Sequence, residues 1–240
     1  MRALLIAFIT ALSFTATLPA SAQGRGAPGV APPTAKAAAP ADLTGYWVAF
    51  VTEDWRFRMG TPAKGDYQGV PMNDQGRKIA DAWDPAADEA AGNQCKAYGA
   101  GAIMRMPSRF HITWQDDNTL KVESDSGMQT RVLHFGSTAA QPGPRTLQGY
   151  SSAQWQAPAL KVTTANLKPG YLRKNGVPYS ENATVTEYFD VAPLPGNGQV
   201  LLVTTIVDDP QYLVQPFIVS SQFKKEADGS KWDPTPCTAK

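Results

Sequence analysis

RFHITWQDDNTLKVESDSGMQTRVLHF, residues 109–135, contains three short runs in which apolar and polar side chains alternate. They are Arg109–Trp114, Thr119–Ser124 and Met128–Phe135. A period of two places successive side chains on opposite faces, which is the signature of half-buried strands rather than helix. Asp116-Asp117-Asn118 separates the first two runs and Asp125-Ser126-Gly127 the others. Both are hairpin-length and carry residues that tolerate positive φ. The stretch therefore predicts a three-stranded antiparallel meander.

The same pattern extends on both sides. Downstream, Leu147–Gln156 and Ala159–Asn166 meet at Ala157-Pro158, Ala183–Val191 and Gln199–Asp208 are joined through Pro193–Gly198, and Val214–Phe223 follows the Asp209-Pro210 break. Upstream, Asp42–Trp47 opens the domain and runs into the β-favouring Val48–Thr52, followed by a Gly/Pro-containing loop over 54–72. One short helix is predicted from Asp74, as cap, to Trp83, with Asp84-Pro85 as its stop. Residues 86–102 read as irregular. About eight short antiparallel strands with a single helix and long loops predict an all-β, closed or nearly closed barrel, since closure removes unpaired edges. A two-sheet sandwich is the alternative.

The N-terminus carries an address. Met1-Arg2 is a short positive segment, Ala3–Leu18 an apolar run, and Ala20-Ser-Ala22 a small-x-small cleavage site, the layout of a secretory signal over 1–22. The apolar run is too short for a spanning helix, so no membrane insertion is expected after cleavage. Residues 23–41, rich in Gly, Pro and Ala without periodicity, read as a disordered tether, leaving 42–240 as a single domain. With the signal removed, Arg2 goes too, and basic and acidic residues balance. A neutral chain has no electrostatic footprint for nucleic acid. Cys95 and Cys237 are the only cysteines, and in an exported chain an even count predicts a disulfide. The expected location is periplasmic or extracellular.

Gly45-Tyr-Trp47 at the first strand resembles the Gly-x-Trp opening of lipocalins and other calycin barrels, in which that Trp packs across the closed end. The resemblance implies calycin-like topology. A larger part of the chain resembles an uncharacterised family of exported bacterial proteins. The resembling stretches are Asp42–Trp47, Gln148–Trp155, Leu160–Thr164, Gly176–Ser180 and Asp208–Tyr212. That second resemblance implies fold and address, and no activity.

Catalytic patterns are thin. Gly149-Tyr-Ser-Ser-Ala153 is one residue off a nucleophile elbow, but strand residues continue through Trp155 and both histidines precede the serine. His111 and His134 lack a carboxylate at ligand spacing, and Asp84, Asp88 and Glu89 lack the calcium-loop spacing, so no metal is expected. Nothing calls for a cofactor. The polar faces of the meander offer more. If part of them points inward, Arg131, Glu123 and His111 could converge with Tyr150 and Glu187 on a small anionic or hydroxylated molecule. Trp55, Tyr67, Tyr98, Tyr171, Tyr179 and Tyr212 lie near turns beside Arg56, Arg58, Arg173 and Lys174. Such groups suit stacking on a ligand, or serve to pin down loops. The reading is an exported, carrier-like barrel for an apolar, aromatic or hydroxylated small molecule, without chemistry of its own. Two alternatives stand beside it. One is a barrel isomerase, cyclase or lyase using His111 or Glu123 as acid/base. The other is a non-catalytic subunit of an envelope assembly.

Overall fold

A computed structural model describes residues 32–136, 143–196 and 198–240. The signal and residues 23–31 of the tether lie outside the described residues. The elements in chain order are β1 (Gly45–Ala49), α1 (Trp55–Arg58), α2 (Asp74–Asp81) and α3 (Pro85–Ala90). After two 3-10 turns, at Lys96–Tyr98 and Ile103–Arg105, come β2 (Arg109–Asp116), β3 (Thr119–Ser124), β4 (Thr130–Phe135), β5 (Tyr150–Gln156) and β6 (Ala159–Ala165). β7 (Gly170–Arg173), β8 (Val177–Tyr179), β9 (Thr184–Leu194), β10 (Gly198–Asp208) and β11 (Phe217–Lys225) complete the set. Nine strands close a barrel in the order β1-β11-β10-β9-β6-β5-β4-β3-β2, and β7-β8 form a separate hairpin. The barrel was legible from the alternation. The sandwich alternative is not adopted.

The meander forms as the alternation requires. Ile112 pairs with Val122 and Trp114 with Leu120 on one face, and His111 with Glu123 and Thr113 with Lys121 on the other. The apolar set faces the interior, where Trp47, Phe110, Leu133, Leu160, Phe189 and Phe223 are fully buried. β1 closes the barrel by pairing Trp47 with Phe110 on one side and Lys225 on the other. Trp47 Nε1 donates to the Leu43 carbonyl at 2.9 Å, and the Lys225 ammonium lies 4.5 Å from its ring centroid. Gly45 adopts φ +99°, where a side chain would be strained.

Three expectations need correction. β4 and β5 are parallel, with Leu133 opposite Ser151, so the barrel is mixed rather than wholly antiparallel. The physical reason is the connection 136–149, far longer than a hairpin turn, which permits the crossover a parallel pair needs. The cap of α2 is Asn73, whose side chain accepts from Gly76 N–H at 2.9 Å, not Asp74. Asp84-Pro85 both ends one helix and begins the next. Asp84 Oδ1 accepts from Ala86 N–H at 2.9 Å, and Pro85 sits at the first helical position, where its missing N–H costs nothing. Residues 86–102 are thus largely helical turns.

One end of the barrel, where β9 begins and β10 ends, is covered by a second apolar cluster. Val185, Val207 and Phe217 from the strands pack there with Tyr179 and Val177 of the hairpin and Ala80 of α2. Cys95 and Cys237 are bonded across a sequence separation of 142, with Cα atoms 5.1 Å apart. Closing so long a loop contributes roughly 3–5 kcal/mol in the chain-entropy model. It fastens the tail, whose Thr235 exchanges hydrogen bonds with Asp125 and Gly127. At the other terminus, residues 35–36 lie on the β2-β3 turn. Ala35 N–H donates to Asn118 Oδ1 and Lys36 N–H to the Asp117 carbonyl, while Trp155 Nε1 donates to the Ala35 carbonyl.

Candidate functional site

The barrel register divides the residues that the sequence pointed to. Arg131 lies opposite Val122 and shares the interior face with Leu133; Glu187 lies opposite Val162 and Thr205. Both are buried, at 2% and 0% exposure. Arg131 Nη1 donates to Glu187 Oε1 at 3.0 Å and Nη2 to Oε2 at 2.5 Å, a two-pronged pair. Nη2 also reaches Thr164 Oγ1 at 3.3 Å, which shares a 2.7 Å hydrogen bond with Ser151. Ser151 is therefore one link of an interior network on a strand face.

His111, Glu123 and Tyr150 do not join that network, because period two turns them outward. His111 stacks on Tyr46 with centroids 4.1 Å apart, and its Nδ1 lies 3.5 Å from Glu123. Glu123 is also 3.0 Å from Lys121 Nζ. Tyr150 stacks on His134 at 4.8 Å. The five residues do not converge: two form a pair inside, and three stand on the outer wall in two separate stacks.

A different convergence forms beside the covered end. Arg58 from α1, Arg105 from the second 3-10 turn and Arg173 from β7 line one cleft of about 300 Å³ together with Glu53, Asp54, Phe57 and Phe217. All three arginines are buried. Arg58 donates from Nε to the Arg105 carbonyl at 2.9 Å and from Nη1 to Glu53 at 2.5 Å. Arg105 donates to the Leu172 carbonyl at 3.1 Å and pairs tightly with Asp54. Arg173 donates from Nη1 to the Gln68 carbonyl at 2.7 Å and stacks on Phe57, 4.1 Å from the ring centroid. Its Nη2 stands 3.9 Å from Asp54, beyond hydrogen-bond reach. Gly69 lies beside that Nη2 with φ +79°, a backbone conformation that favours glycine.

Three guanidiniums face two lining carboxylates; a third acid, Asp66, also acts on Arg173 but is engaged by Arg56 at 2.5 Å. The cleft carries one uncompensated positive charge. Burial, then repulsion from Arg105, pulls the Arg173 pKa down to about 10. Burial lowers Arg58 and Arg105 as well. Arg58 Nη2 and Arg173 Nε lack hydrogen-bond partners among the described residues, so donors outnumber acceptors. Asp54 holds φ 53° and ψ 24°, the left-handed region, at the start of α1. It makes no capping bond there and gives its carboxylate to Arg105 instead. A non-glycine residue kept in that region marks a position where side-chain placement outweighs backbone comfort.

Arg58 and Arg173 were visible in the sequence as cations beside loop aromatics. Arg105 was missed. Its signal was an arginine inside the apolar Ile103-Met-Arg-Met106, where a buried charge demands partners. A larger open groove of about 790 Å³ runs past Cys95, Lys96, Gln129 and Gln148. Of its two lysines, Lys96 pairs with Asp88 at 2.8 Å and Lys168 is exposed to solvent, so neither is a buried cation like those of the arginine cleft. Among the described residues no group of three or more His, Cys, Asp or Glu could hold a metal ion, and no helix is long and apolar enough to cross a membrane. Comparison with protein-family models, curated proteins and solved structures finds no match.

Proposed function

We propose that this chain is an exported binding protein for a small monoanionic ligand with an apolar or aromatic body, held in the arginine cleft without chemistry of its own. The observation that carries this reading is the excess of one buried positive charge among Arg58, Arg105 and Arg173. A buried cation short of a counter-charge is costly, and a carboxylate or similar anion entering the cleft would relieve that cost. Arg173 Nη2 is the donor left for it. Phe57, Phe217 and Val219 line the rest of the cleft and would cover an apolar body. Export is supported by the signal-like N-terminus and by the disulfide. A carrier role is favoured over the acid/base alternative because His111 and Glu123 stand on the outer wall and neither lines the arginine cleft.

Calorimetric titration with benzoate and with its neutral isostere benzamide tests the reading. Benzoate is expected to bind at least about tenfold more tightly, the fold-change of one charge-assisted hydrogen bond. In Arg173→Gln the preference should vanish. Equal affinities for the two compounds, or no binding of either, would contradict it.

A further inference from the structure

The three arginines of the cleft also line a second, much smaller cavity of about 20 Å³. It shares Phe57 with the cleft and is otherwise mostly apolar, with Ala97, Ala102, Met106 and Leu172 in its wall. Lys174 lines it too, its ammonium engaged by Tyr98, Thr238 and the Lys240 carbonyl. No acidic side chain lines this cavity, whereas Glu53 and Asp54 both line the cleft. The guanidinium donors can be counted nitrogen by nitrogen. Arg58 uses Nε on the Arg105 carbonyl and Nη1 on Glu53, which leaves Nη2. Arg173 uses Nη1 on the Gln68 carbonyl and holds Nη2 near Asp54, which leaves Nε. Both remaining nitrogens are sealed from solvent without a partner among the described residues, on side chains 1% and 3% exposed. Buried donors on cations are costly to leave unmade, so the pair calls for an acceptor.

Size and lining decide what that acceptor is. About 20 Å³ is room for a single small particle, so carboxylates, sulfate and phosphate are too large. A water would accept from both nitrogens but brings two hydrogens of its own to place. The Ala97, Ala102 and Leu172 side chains accept nothing, Met106 offers only a weak thioether, and the Arg105 and Leu172 carbonyls are already engaged. A monatomic anion has no hydrogens to place and supplies the missing negative charge as well.

We infer that this cavity is a chloride site: one chloride ion accepts from Arg58 Nη2 and Arg173 Nε and offsets the excess charge of the three arginines. It is separate from the cleft that takes the organic anion, yet both anions draw on the same single positive charge. They therefore oppose each other, and linkage makes the weakening equal in both directions. This opposition rests on the reading of the cleft as an anion site; the chloride site itself does not.

Crystals of the protein soaked in sodium bromide, with bromide standing in for chloride as an anomalous scatterer, test the site. The expected result is one bromide in the cavity, in contact with both nitrogens. Water alone in the cavity, or bromide only elsewhere on the molecule, would overturn the inference while leaving the cleft reading intact. Bromide in the cavity together with no binding of benzoate would keep the chloride site and overturn the cleft reading. The opposition is read in solution from the broadening of the chloride nuclear resonance by added protein. Saturating benzoate should weaken chloride binding by about fivefold or more, the low end of ordinary coupling between sites. An unchanged chloride affinity with benzoate bound would overturn the opposition of the two anions.

Discussion

At the scale of single residues the firmest energetic statement concerns Arg131 and Glu187. Two charges taken out of water recover their hydration only through good geometry, and this pair has two-pronged contact plus Thr164. Removing one partner strands the other. Arg131→Ala should therefore lower stability by about 3–5 kcal/mol in urea unfolding. The double replacement Arg131→Met/Glu187→Leu should recover most of it, because apolar side chains of similar volume suit an interior already lined by Leu133 and Val162. If the pair is structural, as its absence from the cleft lining implies, the double variant should also bind benzoate normally. An unchanged unfolding midpoint for Arg131→Ala would contradict the buried pair. The sequence already contained the facing information: period two places Arg131 with Leu133, and hairpin register puts it beside Val122 rather than Glu123. What it did not contain was the partner. Glu187 sits 56 positions away on β9, and only barrel closure brings the two together.

At the scale of elements, α1 is a single turn, too short to stand on helix propensity. Its position is held by the tight Asp54–Arg105 pair, the Glu53–Arg58 pair and the stacking of Arg173 on Phe57. Asp54→Asn separates binding from stability. Asparagine tolerates the left-handed backbone, so the turn keeps its geometry, while the cleft gains a second uncompensated charge. Stability should fall by about 1–2 kcal/mol, less than for a fully buried pair because Asp54 is partly exposed. Benzoate affinity should rise. Loss of both in parallel would mean that the arginines serve only to fasten loops. Sequence patterns found the meander, the strands β5, β6, β9, β10 and β11 and helix α2, because each is a local periodic signal. They missed α1, α3 and the β7-β8 hairpin, which are too short to show a period and are kept by contacts with the barrel end.

At the scale of the whole molecule, the barrel supplies a rigid wall and the insertions supply the site. Arg58, Arg105 and Arg173 come from two insertions: the segment between β1 and β2 provides the first two, and the hairpin between β6 and β9 provides the third. No local spacing relates positions 58, 105 and 173, so the cluster could not be read from the chain, although each arginine could be noticed on its own. The disulfide and the tail brace the same β1-β2 insertion at Cys95, which limits the freedom of the segment that carries two of the three cations. The account's central claim is that the uncompensated charge in this cleft is a binding site. It is tested most directly by a crystal structure grown with 4-bromobenzoate, with the bromine located by anomalous scattering. The expected result is one bromine at the mouth of the cleft beside Ile218, with the carboxylate within hydrogen-bond distance of Arg173 Nη2. Bromine found only elsewhere on the molecule, with the cleft holding no carboxylate, would contradict the claim.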